Sequence, residues 1–139
     1  MSIVLPDSGE EYLLEVIVNK IATDGSAGTT GGDRILRLYT NNLTPSDSTV
    51  TGDITQATGS GYAAVTLDGD DWTVATLAGV TTAAHPEVTF TFNAAITIYG
   101  YYITTETGDL IWLERFTGAP FTFPSGGGEL AITPKVSLD

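Results

Sequence analysis

The side chains able to do chemistry are few and scattered. Asp68-Gly69-Asp70-Asp71 gathers three carboxylates within four residues. A hard cation such as Ca²⁺ wants about six to eight oxygens. The EF-hand spacing is absent and no bidentate Glu follows, so the simpler reading is a solvated turn. Asp68, Asp70 and Asp71 are still the first place to look for a metal. His85 is the single histidine and there is no cysteine. Triads and most zinc sites need a His or Cys with defined partners, so His85, next to Pro86, reads as a turn residue. Glu114-Arg115 closes a strand, and Asp109 or Glu106 across a hairpin would supply the second carboxylate of a glycosidase-like pair. A salt bridge from Arg115 to a neighbouring carboxylate explains the same residues more simply. Gly28-Thr29-Thr30-Gly31-Gly32 lacks the Lys-Ser/Thr end, the preceding strand and the following helix of a phosphate loop. No catalytic residue and no cofactor is assigned.

The aromatic group Tyr99, Tyr101, Tyr102 and Trp112 allows two readings. Aromatic pairs across strands stabilise a sheet's core. An exposed row would instead stack on sugars or form a protein interface, where Tyr and Trp are enriched. Both faces of 98–103 are apolar or aromatic. One face is therefore core, and the other is covered by a second sheet, a helix or another chain.

These residues sit in the longest sheet-like run of the chain, Pro86 to Phe116. Val88, Phe90 and Phe92 alternate with Thr89 and Thr91. Ile96 and Ile98 continue the pattern to Ile103, and Leu110-Ile111-Trp112-Leu113 follows a polar break. β-branched and aromatic residues at period two, punctuated by Gly, Asp and Asn, predict strands joined by tight turns. Further strands are predicted at 35–40, 62–67, 72–76, 121–123 and 130–138, with 79–84 a weak strand or loop. Asp68–Asp71 is the expected turn of a hairpin joining 62–67 to 72–76. Pro134 cannot donate to a ladder and marks an edge or bulge. Loops are expected at 23–33, 46–60 and 124–128, where Gly, Ser and Thr dominate. One helix is predicted over 9–22. Ser8 and Glu11 have capping-box spacing, and Leu13, Leu14, Ile17 and Ile21 recur at helical intervals. The β-branched run Val16-Ile17-Val18 competes for a strand.

Seven to nine short strands without alternating helices predict a mainly β fold. The expected form is an antiparallel β-sandwich or barrel, Greek-key or jelly-roll-like, with one short N-terminal helix. At 139 residues it is expected to be one domain, 1–139, with segment 1–22 as the helix or a partner-contact arm. Seventeen acidic and 5 basic residues give a formal net charge of −12. Such a chain is repelled by DNA and by anionic membrane surfaces. No run reaches the ~20 apolar residues that cross a bilayer. The first residues carry neither a basic region nor a long apolar one, so no secretory signal is expected.

Several pieces in order resemble small virion structural proteins of tailed bacteriophages. They are Leu5-Pro6-Asp7-Ser8-Gly9-Glu10, Leu38-Tyr39-Thr40-Asn41-Asn42-Leu43-Thr44-Pro45, Gly61-Tyr62-Ala63, Trp72, Ile98-Tyr99-Gly100-Tyr101-Tyr102-Ile103, Gly108 to Phe116, and Leu130-Ala131-Ile132-Thr133-Pro134. The resemblance implies a non-enzymatic capsid decoration or cement protein, made in the host cytoplasm and located in the virion. Its partner would be the major capsid protein or another virion protein, with a homo-oligomer as a further option. The alternatives are a tail, collar or fibre-associated component, or a carbohydrate-binding β-sandwich module stacking sugars on Tyr99, Tyr101 or Trp112.

Overall fold

The structure is a computed structural model and describes residues 5–18, 20 and 33–138. The loop expected at 23–33, apart from Asp33, lies outside these residues, as do Asn19, Ile21 and Ala22 of the expected helix. The described residues form a mainly β, antiparallel fold with one α-helix, and divide into two compact units.

The first unit takes in residues up to Arg34, Leu67–Glu87 and the C-terminal segment from Thr133. Its helix, α1 (Asp7–Ile17), starts and stops earlier than the sequence predicts. The chain turns into it at Pro6, whose carbonyl accepts the N–H groups of Gly9 and Glu10 at 2.7 and 3.1 Å. Ser8 therefore lies inside the helix, and no side chain caps its N-terminus, so the expected capping box does not form. Leu14 and, just past the last turn, Val18 are fully buried, four residues apart on one face.

That face packs on a three-stranded sheet of β3 (Thr73–Leu77), β4 (Val80–Ala84) and β11 (Lys135–Leu138), in the order β11-β4-β3. The hairpin here joins β3 to β4, not 62–67 to 72–76. Gly69–Asp71 forms a short 3-10 turn whose Asp68 carboxylate accepts the Asp70 N–H at 2.9 Å, and this turn redirects the chain between sheets. The β3–β4 link is a two-residue turn with positive φ at both Ala78 (52°) and Gly79 (80°). That backbone twist matches the right-handed twist of paired strands. Weak β-branched signal at 79–84 thus becomes a full strand, because two neighbours hydrogen-bond to it.

The second unit comprises Ile35–Thr66 and Val88–Ile132. Its main sheet has the order β2 (Val65–Leu67), β1 (Arg34–Tyr39), β7 (Gly100–Thr104) and β8 (Leu110–Arg115), with the outermost residues of β1 and β2 running into the first unit. Two strand pairs accompany it, β5 (Val88–Phe92) with β10 (Gly128–Ile132) and β6 (Ile96–Ile98) with β9 (Phe121–Phe123). The run 96–103 is broken at Tyr99. Its N–H reaches the Tyr39 carbonyl and its own carbonyl accepts the Phe116 N–H, both at 3.0 Å. Groups that normally point the same way here diverge, so the chain changes partners at that residue. The run 130–138 breaks likewise at Pro134, between β10 and β11.

Alternation is realised most cleanly in β5, where Val88, Phe90 and Phe92 are buried and Thr89 and Thr91 exposed. All five residues of β7 are buried, as the apolar character of both its faces requires. Its Ile103 is fully buried, as are Leu36, Leu38, Tyr39 and Ile98 beside it. Each such side chain contributes roughly 1.5–3 kcal/mol by leaving water. Rings extend the core, with Phe92 on Phe123 at 4.7 Å and Tyr62 on Phe90 at 5.9 Å.

Candidate functional site

The main sheet ends in two edge strands, β2 and β8, and β8 is the longer. In an antiparallel strand one residue's N–H and C=O point to the same neighbour, and successive residues alternate. Leu38 spends its N–H on the Tyr62 hydroxyl (3.1 Å) and its carbonyl on the Ala57 N–H (2.8 Å), both away from β7. Its partner across the ladder, Tyr101, therefore turns its backbone groups toward β8, where it faces Glu114. Leu113 and Arg115, one residue to either side of Glu114, then point theirs outward past the last strand. Among the described residues no backbone hydrogen bond joins 110–113 to any segment beyond that edge. A bulge at Ile111, between the pairs Ile103–Trp112 and Thr104–Leu110, bends this strand.

A cleft of about 510 Å³ runs along the edge. Leu110, Ile111, Trp112 and Leu113 form one wall, with Asp109 at its end, and Ser46, Asp47, Thr49, Val50 and Thr51 form the other. The second wall is built, not slack. The Asn41 side chain donates to the Asp53 carbonyl (2.9 Å) and accepts the Thr55 N–H (2.8 Å). The Asp53 carboxylate accepts the Val50 N–H at 3.0 Å, and Ser46 and Thr49 bond each other through backbone and hydroxyls. Arg115 ties this loop to β8. Its guanidinium donates to the Leu43 carbonyl (2.9 Å) and lies 5.1 Å over the Tyr99 ring. Among the described residues these two contacts stand in place of the salt bridge expected for Arg115.

The predicted residues are distributed as follows. Tyr101 and Tyr102 are buried, each 3 % exposed. Tyr101 donates to the Glu114 carboxylate (2.7 Å) and Tyr102 to the Gln56 side-chain carbonyl (3.4 Å). Tyr99 is half-buried beneath Arg115, and Trp112 alone of the four lines the cleft. The Asp109 carboxylate accepts hydrogen bonds from the hydroxyls of Thr107 (2.8 Å) and Thr105 (3.2 Å), so Glu114 and Asp109 are engaged separately by their own neighbours. Asp68 caps its 3-10 turn, and Asp71 stands 3.9 Å from His85 Nε2. No group of three carboxylates or imidazoles converges among the described residues. His85 does not lie in the turn that its place beside Pro86 suggests. It is buried, edge-on to Trp72 at 5.2 Å, with Nδ1 at 2.9 Å from the Pro86 carbonyl.

Two features had no motif in the sequence. One is the loop wall of the cleft, whose Ser/Thr/Asp composition resembles any solvated loop. The other is a polar chain in the first unit. Thr81, fully buried, donates to buried Glu10 at 2.8 Å, lies 2.8 Å from the Thr76 hydroxyl, and Thr76 donates to Glu11 at 2.8 Å. Burial raises the phenol pKa of Tyr39, Tyr62 and Tyr102 above its ordinary value. Nearby Arg37 opposes that shift at Tyr62 and Tyr102, and Arg115 opposes it at Tyr39. No family model, curated protein or solved structure matches the chain.

Proposed function

We propose that the chain is a non-enzymatic structural protein of a tailed-phage particle, a decoration or cement protein that docks on assembled capsid subunits. The observation that carries the docking reading is β8: a six-residue edge strand bearing Leu110, Ile111, Trp112 and Leu113, half-exposed and open on its outer side. Natural proteins blunt or cover apolar edges because they recruit other strands. An edge kept apolar and bordered by a rigid cleft is suited to a partner. The phage context comes from the sequence resemblance. The net charge of −12 supports a protein partner with basic patches over DNA, a membrane or a second copy.

In this reading the chain works by mass action, binding the expanded shell and stabilising that state. Its sheets form a jelly-roll-like sandwich, a reading supported by β7 being buried on both faces. The test is to fractionate purified virions into heads and tails and to measure the rupture temperature of heads with and without the chain. The chain is expected on heads, and its removal is expected to lower the rupture temperature. Recovery on tails alone contradicts the decoration role and favours a tail, collar or fibre component.

A sugar-binding module is a second reading, and Trp112 beside Asp47, Asp109 and Thr49 in the cleft is what favours it. It is weakened by the burial of Tyr101 and by the Arg115 cover on Tyr99, which leave one ring for stacking.

A further inference from the structure

We infer that the β8 cleft binds an extended segment of another protein, which adds to the main sheet as a fifth strand and carries alternating apolar and basic side chains. The inference deepens the docking reading and rests on it for the partner's origin. Its chemistry depends only on β8 and the cleft beside it.

Three observations converge. The first is the outward-pointing backbone of Leu113 and Arg115, which supplies donors and acceptors at the spacing of a β ladder. A sugar or a folded surface would leave that row unmatched, whereas an extended backbone matches it. The second is the cleft's form. It follows the strand for four consecutive residues, Leu110 to Leu113, and its far wall is held by its own hydrogen bonds, so both walls stand in place before any ligand arrives. The third is charge. Among the described residues Asp47 and Asp109 are the only ionisable ones lining the cleft, and they stand on opposite walls. The incoming strand therefore gains by presenting Lys or Arg at the rim and apolar groups against Trp112 and Leu110. A second copy of this chain, with net charge −12, brings the wrong sign.

The test uses the purified full chain and three synthetic probes: a short peptide of alternating valine and lysine, its valine–glutamate counterpart, and the lysine peptide with a central proline. Binding is read by Trp112 fluorescence, and its location by amide hydrogen exchange. The lysine peptide is expected to bind at least about tenfold more tightly than the glutamate peptide. It should slow exchange at Leu113 and Arg115, and the proline peptide should lose the effect because it cannot complete the ladder. Leu113→Lys should abolish binding. The double change Asp47→Asn with Asp109→Asn keeps the fold and the edge, and should cut the lysine preference to about threefold or less. Equal affinity for all three peptides, no binding by any of them, or protection elsewhere overturns the inference. A concentration-dependent dimer abolished by Leu113→Lys, or oligosaccharide binding that the peptides do not displace, overturns the choice of occupant. Absence of the chain from phage heads leaves these outcomes untouched, so the two claims fail separately.

Discussion

Gly100 of β7 lies tight against both β8 and Tyr39 of β1, and replacing it with alanine gives a sharp prediction. A Cβ at Gly100 would stand 2.0 Å from the Glu114 carbonyl oxygen and 2.5 Å from the buried Tyr39 hydroxyl. Ordinary contact begins near 3.4 Å, so about 1.4 Å must be found on the Glu114 side alone. Backbone cannot yield as a flexible side chain does. If β8 moves away by that amount, the pair of hydrogen bonds between Tyr101 and Glu114 stretches past useful length, at about 1 kcal/mol each. Displacing the fully buried Tyr39 ring then adds an overpacking cost of about 1–3 kcal/mol. Gly100→Ala should therefore destabilise by about 3–5 kcal/mol, roughly 10–15 °C in Tm for a chain of this length. Gly52→Ala is the control, since nothing lies within 4 Å of its added Cβ. Its effect should stay within about 0.5 kcal/mol. Urea titration followed by tryptophan fluorescence and circular dichroism measures both. A Gly100→Ala cost below about 1 kcal/mol, or one equal to that of Gly52→Ala, would refute the close approach of β7 and β8.

Two further predictions concern the buried polar groups. Thr81→Val keeps the shape and removes the hydroxyl that Glu10 accepts, so it should cost about 1–3 kcal/mol, while Thr81→Ser should cost clearly less. Equal losses in urea titration would show that the hydroxyl contributes nothing. Tyr39, Tyr62 and Tyr102 have folded pKa values raised by burial, so above about pH 10 the unfolded chain loses phenolic protons first and binds fewer than the folded one. Their contribution is fully present below that pH and is lost as pH rises through the folded values. The urea midpoint should therefore hold to about pH 10 and fall beyond it, and a midpoint that rises there contradicts the burial.

Much of the strand content was legible from local pattern. Val88, Phe90 and Phe92 alternate because one face of β5 is buried, and period two reports that directly. What the pattern could not supply was pairing. The two-residue turn closing β3 on β4 uses Ala78 at positive φ, a position that Gly or Asn usually marks, so the turn carried half its signal. Asp68–Asp71 looked like the stronger turn and is a capped 3-10 bend between sheets. The helix start was misplaced for a similar reason, since a capping box is a spacing many sequences share and Pro6 pre-empts it.

The cleft was less legible still. Its walls come from 46–51 and 109–113, and the Arg115–Leu43 bond that ties them spans 72 residues. Aromatic composition singled out Tyr99, Tyr101, Tyr102 and Trp112 as one group. Burial divides them, because strand order puts Tyr101 and Tyr102 on the central β7 and Trp112 on the edge.

The most direct test of the account is amide hydrogen exchange on the chain alone and bound to phage heads from which it has been stripped. The open-edge geometry predicts fast exchange at Leu113 and Arg115 in the free chain and slow exchange at both once heads are added. Heads that do not take up the chain, or that take it up without slowing those two amides, would contradict docking through β8.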